Sequence, residues 1–169
     1  VLLMTHAARF HLLNEFSSDL FLDSWNAIFR LAEDHPSVSF VIKSHCWNYD
    51  DWIEQQASQR GIENLRTVDG CLEHLIFAEN VVVNMGKPDS AVLSAAVLEA
   101  PLLLYAGMYK TVREFGNAAH LAAGPIAVST PDDLQERLSD YLQDVAAKRD
   151  ELIRLGTSLR DELIFAGID

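Results

Sequence analysis

Short apolar runs alternating with amphipathic segments predict an α/β chain, a doubly wound open parallel sheet of about six strands with helices on both faces. Three observations carry this expectation. Val81 to Tyr105, VVVNMGKPDSAVLSAAVLEAPLLLY, reads as strand, polar loop, Ala/Leu/Val-rich helix and strand, with a crossover of about the minimum length for a right-handed βαβ unit. Its apolar runs are nearly uninterrupted, as in parallel strands covered on both faces. A length of 169 residues suffices for one domain with a two-sided core and is short for two, so residues 1–169 are expected to form a single domain.

The elements follow in order. Val1 to Met4 reads as the first strand and runs into the polar loop Thr5-His6-Ala7-Ala8-Arg9, with loop continuing to about Ser18. Ser18 or Asp19 caps a helix whose Phe21, Trp25, Ile28, Phe29 and Ala32 keep helical spacing as far as His35-Pro36. Val38 to Ile42 is the second strand and leads into Lys43-Ser44-His45-Cys46-Trp47. A helix from about Asp50 to Arg60 closes at Gly61, Leu65 to Val68 forms a short strand, and a short helix presents Leu72, Leu75 and Ile76.

Beyond Tyr105, Ala106 to Gly124 reads as loop with one or two short helices holding Lys110, Arg113 and His120, and Pro125 to Val128 as the sixth strand. Thr130-Pro131-Asp132-Asp133 is a strong helix start: a capping hydroxyl, proline in the first turn, and acids at the positive end of the dipole. Leu134, Leu138, Tyr141, Leu142 and Val145 line one face of that helix, and a last helix carries Leu152, Leu155, Leu159 and Leu163. The acidic pairs Asp50-Asp51 and Asp132-Asp133 read as helix starts rather than catalytic dyads.

A formal net charge of −12 and the lack of a basic run argue against nucleic acid as a partner, because polyanion binding needs a basic stripe. A phosphate-bearing ligand would be held locally, by a few cations and helix amides. Cys46 and Cys71 lack metal-type spacing, and two cysteines read as free buried thiols in a reducing cytoplasm. No run of about eighteen apolar residues and no charged-then-apolar leader is present, which predicts neither a span nor a signal peptide. There is no G-x-G-x-x-G after the first strand, no Walker sequence, no zinc signature and no G-x-S-x-G.

Chemistry is therefore sought in three polar loops, those after the first, second and fourth strands, whose carboxyl ends converge in a doubly wound sheet. They hold His6 and Arg9, Lys43 and His45, and Lys87, Asp89 and Ser90. Point charges, hydrogen bonds and a helix amino end in this combination suit a diphosphate. Capping alone would also account for Asp89 and Ser90, and Lys43 and Lys87 are ordinary solvated lysines if the loops bind nothing. No metal site is expected.

The strings VIKSHC and DSAVLSAAVLEAPLLLY resemble the "strand then K-x-H-P" and "D-S-S…acidic…P-hydrophobic" elements of the carboxyl-terminal, donor-binding half of GT-B glycosyltransferases, a Rossmann-like domain. Within that fold the chain looks most like the CDP-glycerol glycerophosphotransferase and capsule polysaccharide type, with non-hydrolysing UDP-sugar 2-epimerases as structural relatives. The resemblance covers nearly the whole chain: strand order, the helix ending before Pro101 and the terminal P-D-D-L-x-x-x-L helix all fall where that domain has them. It implies that His45 sits near the donor diphosphate as the catalytic histidine, and that Asp89 and Ser90 hold phosphate. Two positions depart from the pattern. Ser94 stands where the family often has an acidic ribose contact, Glu99 being five positions later on a different face, and Cys46 stands where it usually has proline.

The resemblance thus implies a cytoplasmic domain, peripheral to the membrane through parts beyond this chain. It would bind a CDP- or UDP-linked sugar or polyol phosphate for surface polysaccharide synthesis, with no separate cofactor. The acceptor and general base would lie on an amino-terminal domain not in this chain, so the domain alone would bind without turnover. A UDP-sugar 2-epimerase relative is one alternative. A non-catalytic binding or assembly module on the same sheet, with a homodimer among its partners, is another.

Overall fold

The computed structural model describes residues 1–5, 18–44, 50–78, 81–85, 90–108 and 124–165. The apolar runs become strands β1 (Leu2–Thr5), β2 (Phe40–Lys43), β3 (Leu65–Thr67), β4 (Val82–Met85), β5 (Leu102–Tyr105) and β6 (Ala127–Val128). The helices are α1 (Ser18–Asp34), α2 (Asp50–Arg60), α3 (Leu72–Ala78), α4 (Ser90–Val97), α5 (Pro131–Gln143) and α6 (Val145–Phe165). All pairings are parallel, in the order β3-β2-β1-β4-β5-β6, which is the doubly wound sheet that the sequence predicts.

Right-handed crossovers explain the two layers. Steps from β1 to β2 to β3 run in one direction, and the step from β4 to β5 on the far side of β1 runs in the other, so α4, with α3, covers the other face, while α5 after the last strand returns to the face of α1. Strand alternation then sorts the side chains. Leu3, Phe40, Ile42, Val83, Leu103 and Tyr105 pack with Trp25 and Phe29 of α1, Ile53 of α2, and Leu134 and Leu138 of α5. Leu2, Met4, Val41, Val82, Leu102 and Leu104 pack with Ile76 of α3, Val92, Ala95 and Ala96 of α4, and Leu159 of α6. Leu152 of α6 belongs to the first cluster and Leu159 to the second, so this helix bridges the layers.

Helix ends are closed by local chemistry. The α1 carbonyls would be orphaned at the carboxyl end, and the Asn64 side-chain amide reaches the carbonyls of Ala32 and His35 at 3.0 Å, as well as that of Val38 at 2.9 Å. Helices α2 and α4 end in the same paired hydrogen bonds, Ile62 N–H to Ala57 and Gly61 N–H to Ser58 in one, Ala100 N–H to Ala95 and Glu99 N–H to Ala96 in the other. Thr130 Oγ1 accepts from Asp133 N–H at 3.0 Å and starts α5. Asp144 ends α5 through its own N–H to the Tyr141 carbonyl, then caps α6 by accepting from Ala147 N–H at 3.1 Å.

Four expectations are corrected. Val145 opens α6 instead of continuing the α5 stripe, because Asp144 interrupts the helix. Thr5 is the last strand residue, paired with Met85, rather than the first loop residue. Glu99 lies beyond the end of α4, exposed and with φ of 53°, rather than on the helix. Cys71 is exposed rather than buried, since it precedes α3 at the surface, where its thiol donates to Glu73 Oε2 at 2.9 Å. Cys46 and the expected short helices with Lys110, Arg113 and His120 lie outside the described residues. Among the described residues no helix is long and apolar enough to cross a membrane.

Candidate functional site

Strands β2, β1 and β4 are parallel neighbours, so their carboxyl ends form one edge, with Met4 beside Lys43 and Thr5 beside Met85. At roughly 4.8 Å between adjacent strands, the ends of β2 and β4 stand about 10 Å apart across β1. This is the point where the strand order reverses, and in open α/β sheets ligands collect in the crevice that the reversal leaves. Helix α4 follows β4 and runs antiparallel to it, which turns its amino end and the positive end of its dipole to this edge.

Of the residues singled out in the sequence, Lys43 is half-buried and ends β2. Ser44 next to it donates its hydroxyl to Asp50 Oδ1 at the start of α2, joining the two residues that flank positions 45–49. Ser90 is the exposed first residue of α4. Ser94 lies one turn further along and is half-buried; its carbonyl accepts from Leu98 N–H at 3.0 Å. Val92, Ala95 and Ala96 are the buried residues of that helix and pack against the sheet. His6, Arg9, His45, Lys87 and Asp89 lie outside the described residues.

Sequence reasoning passed over a set of buried polar groups at or near the same edge. Tyr105 ends β5 fully buried, and its Oη is 2.6 Å from Oγ of the equally buried Ser24 on α1. Ser24 Oγ donates to the Leu20 carbonyl at 2.5 Å, so the Tyr105 phenol is the donor between them. Burial pushes that phenol up to about 12; the Ser24 bond opposes the rise, and the negative charges of Asp23 and Asp133 add to it. The group stays protonated and can keep donating. Thr5 is 7% exposed, and its Oγ1 has no hydrogen-bond partner among the described residues. Asn84 of β4, 4% exposed, joins Ser24 and Thr5 as a buried polar side chain. Tyrosine closing the LLLY run and asparagine inside VVVNM were the legible signals.

Grooves among the described residues are lined by residues other than those at the ends of β2, β1 and β4. One groove of about 490 Å³ is lined by Pro36 and Gly61 to Asn64, near the amino ends of β2 and β3. Another, of about 430 Å³, lies between α1, Arg60 of α2 and the start of α5; it mixes Arg30 and Arg60 with Asp23 and Asp132. No group of three or more His, Cys, Asp or Glu side chains among the described residues is arranged to hold a metal ion.

No known family and no curated protein matches the chain. Solved structures do. One is UDP-GlcNAc 2-epimerase from Neisseria meningitidis, crystallised bound to UDP-GlcNAc: TM-score 0.57, 13% identity, covering 92% of this chain and 38% of that one. Another is a single-site mutant of TarM from S. aureus in complex with Fondaparinux, alpha-GlcNAc-glycerol and UDP: TM-score 0.62, 11% identity, covering 96% of this chain and 32% of that one. At these identities the likeness shows the fold, and it agrees with the GT-B half-domain implied by the sequence resemblance. The chain spans about a third of the length of either structure.

Proposed function

We propose that this chain is the donor-binding unit of a glycosyltransferase-like enzyme, holding the diphosphate of a nucleotide-linked sugar or polyol at the carboxyl edge of its sheet. The adjacency of β2, β1 and β4 carries the reading, because the segments that follow these strands in the sequence hold the candidate polar residues. Both similar structures contain a uridine nucleotide, UDP-GlcNAc in one and UDP in the other, which supports a nucleotide diphosphate as ligand. The resemblance in sequence adds CDP-linked polyol phosphate as the finer assignment.

In this reading His45, Lys43 and Lys87 face the diphosphate, joined by Asp89, Ser90 and the amino end of α4, with His6 and Arg9 on the loop after β1. Charge developing on the leaving diphosphate is stabilised by preorganised donors in a crevice of reduced dielectric, where each cation is worth more than in water. The acceptor and the general base come from a second domain, consistent with the 38% and 32% of the solved structures that the chain spans. The chain alone binds donor without turnover.

A UDP-sugar 2-epimerase relative is the second reading, favoured by the epimerase among the similar structures. Ser94 counts against it, since a hydroxyl bonds ribose less strongly than the acidic side chain that the family pattern has there.

Titration of the chain with CDP, UDP, GDP and the monophosphates, followed by amide shifts or melting temperature, tests the proposal. Saturable binding of one diphosphate, weakened in His45→Ala, is expected. Absence of binding by all of them at millimolar concentration would overturn it and favour an assembly module on the same sheet.

A further inference from the structure

We infer that the buried Tyr105–Ser24 pair is a positioning device for the crevice, fixing the amino-terminal turns of α1 against the carboxyl edge of the sheet. The ligand in this inference rests on the proposed function; the geometry does not.

Tyr105 is the last paired residue of β5, beside Val128 of β6, and Ser24 lies 81 positions earlier on α1. A phenol and a serine hydroxyl with 0% exposure cost free energy unless they are bonded, whereas Phe and Ala would fill the same space without that cost. What the polar pair adds is direction. Tyr105 donates to Ser24, and Ser24 donates to the carbonyl of Leu20, one turn nearer the start of α1. The relay therefore runs from the end of a strand to the first turns of the helix that follows β1. Apolar packing tolerates sliding along the helix; the 2.6 Å bond from Tyr105 to Ser24, whose hydroxyl is itself oriented by its bond to Leu20 within α1, does not.

The chain beyond β5 holds the ring from the other side. A Cβ at Gly107 would overlap the Tyr105 hydroxyl and the atoms of its ring, so only glycine lets the backbone pass so close. Met108, 1% exposed, follows immediately. The ring is thus confined between α1 and the turn after β5, and its hydroxyl has a single direction to take. Helix α1 follows β1 and runs back antiparallel to it, so its first turns lie at the carboxyl edge of the sheet, where the strand order reverses between β1 and β4.

The test uses the double variant Tyr105→Phe/Ser24→Ala, which removes both partners, keeps the shape and is expected to leave the thermal midpoint nearly unchanged. Amide exchange of Leu20 to Trp25 should rise about tenfold, and the Kd for UDP should rise about three- to tenfold, the range set by losing a net hydrogen bond of ordinary strength. Unchanged exchange overturns the inference. Faster exchange with an unchanged Kd also overturns it, because the helix would then move without consequence for the crevice. If the parent chain binds none of CDP, UDP and GDP, the proposed function fails instead, and exchange alone decides whether the pair fixes α1; if it binds CDP or GDP and not UDP, that nucleotide replaces UDP as the probe. Should the double variant fold poorly, Tyr105→Phe alone is read in the same way, since Ser24 keeps its bond to Leu20. Ile76→Val in the opposite layer is the control, and a matching loss of UDP affinity there would overturn the inference.

Discussion

The two layers flanking the sheet are built from different side chains and do different things. On the α1 side the rings interlock: Phe21 and Trp52 have centroids 5.7 Å apart, Trp25 and Phe29 5.9 Å, Phe29 and Trp52 6.2 Å, and the Arg60 guanidinium sits 4.8 Å over Phe29. On the α4 side the core is aliphatic, with Ala95, Ala96 and Ala100 among Val, Leu and Ile. Rings hold helices at a distance and give directional contacts, and the buried Tyr105–Ser24 hydroxyl pair belongs to this layer. Alanines let a short helix lie close to the strands. The first layer therefore sets orientation, while the second sets how near the amino end of α4 comes to the strand ends.

Removing the central ring is the strongest way to break that contrast. Trp25 is fully buried and touches both Phe21 and Phe29, so Trp25→Ala should cost about 3–5 kcal/mol in chemical denaturation. A cost below about 2 kcal/mol would mean that the rings are not acting as one interlocked layer. The opposite change sharpens the contrast on the other face. Ala96→Leu adds volume where there is none to spare and should cost about 1–3 kcal/mol by lifting α4 from the sheet. A neutral result would show that the close approach is not required.

The difference between the layers also explains what the sequence disclosed. Runs such as VVV and LLL announce buried parallel strands, and the spacing of Phe21, Trp25, Ile28 and Phe29 announces α1, because burial on both faces leaves no polar interruption. The α2 bounds were legible too, since Asp50 and Gly61 are chemically specific start and stop signals. The Asp144 break was not: one residue ends α5 and caps α6, and an apolar stripe continues through it. Nor was Cys71, whose exposure depends on where the chain turns before α3. At the site, strand ends were legible from element order. The Tyr105–Ser24 pair was not, because a contact across 81 residues leaves no local pattern.

The tyrosines give a pH-dependent form of the comparison. Tyr105 in the folded chain is pushed up to about 12 from an ordinary value of 10.0, and burial raises Tyr141 as well. A raised folded value means that the unfolded chain loses the proton first. The stabilisation is complete below pH 10.0 and is lost as pH rises toward about 12. Tyrosinate absorbance in a pH titration should show Tyr105 ionising late, together with alkaline unfolding, and Tyr105→Phe should remove that late component. An ordinary titration for every tyrosine would contradict the buried hydroxyl pair on which the first layer's directionality rests.

The smallest expected effect comes from two helix ends, one in each layer, that share a hydrogen-bond pattern and differ in one residue. Gly61 closes α2 with φ of 70°, and Glu99 closes α4 with φ of 53°. Left-handed backbone costs a residue with a Cβ roughly 1–2 kcal/mol, while glycine gives back part of that advantage through the freedom it has when unfolded, roughly 0.4–1 kcal/mol. Space is not at issue at Gly61, where an added Cβ would meet nothing within 4 Å, so the backbone term stands alone. Gly61→Ala should therefore destabilise the chain by about 0.5–1 kcal/mol, and Glu99→Gly should stabilise it by a similar amount, read as opposite shifts of the urea midpoint at constant slope. If Glu99→Gly instead destabilises, the exposed carboxylate must be making a favourable interaction at the end of α4 that exceeds the strain. The layer that carries α4 would then hold its helix by charge as well as by close packing.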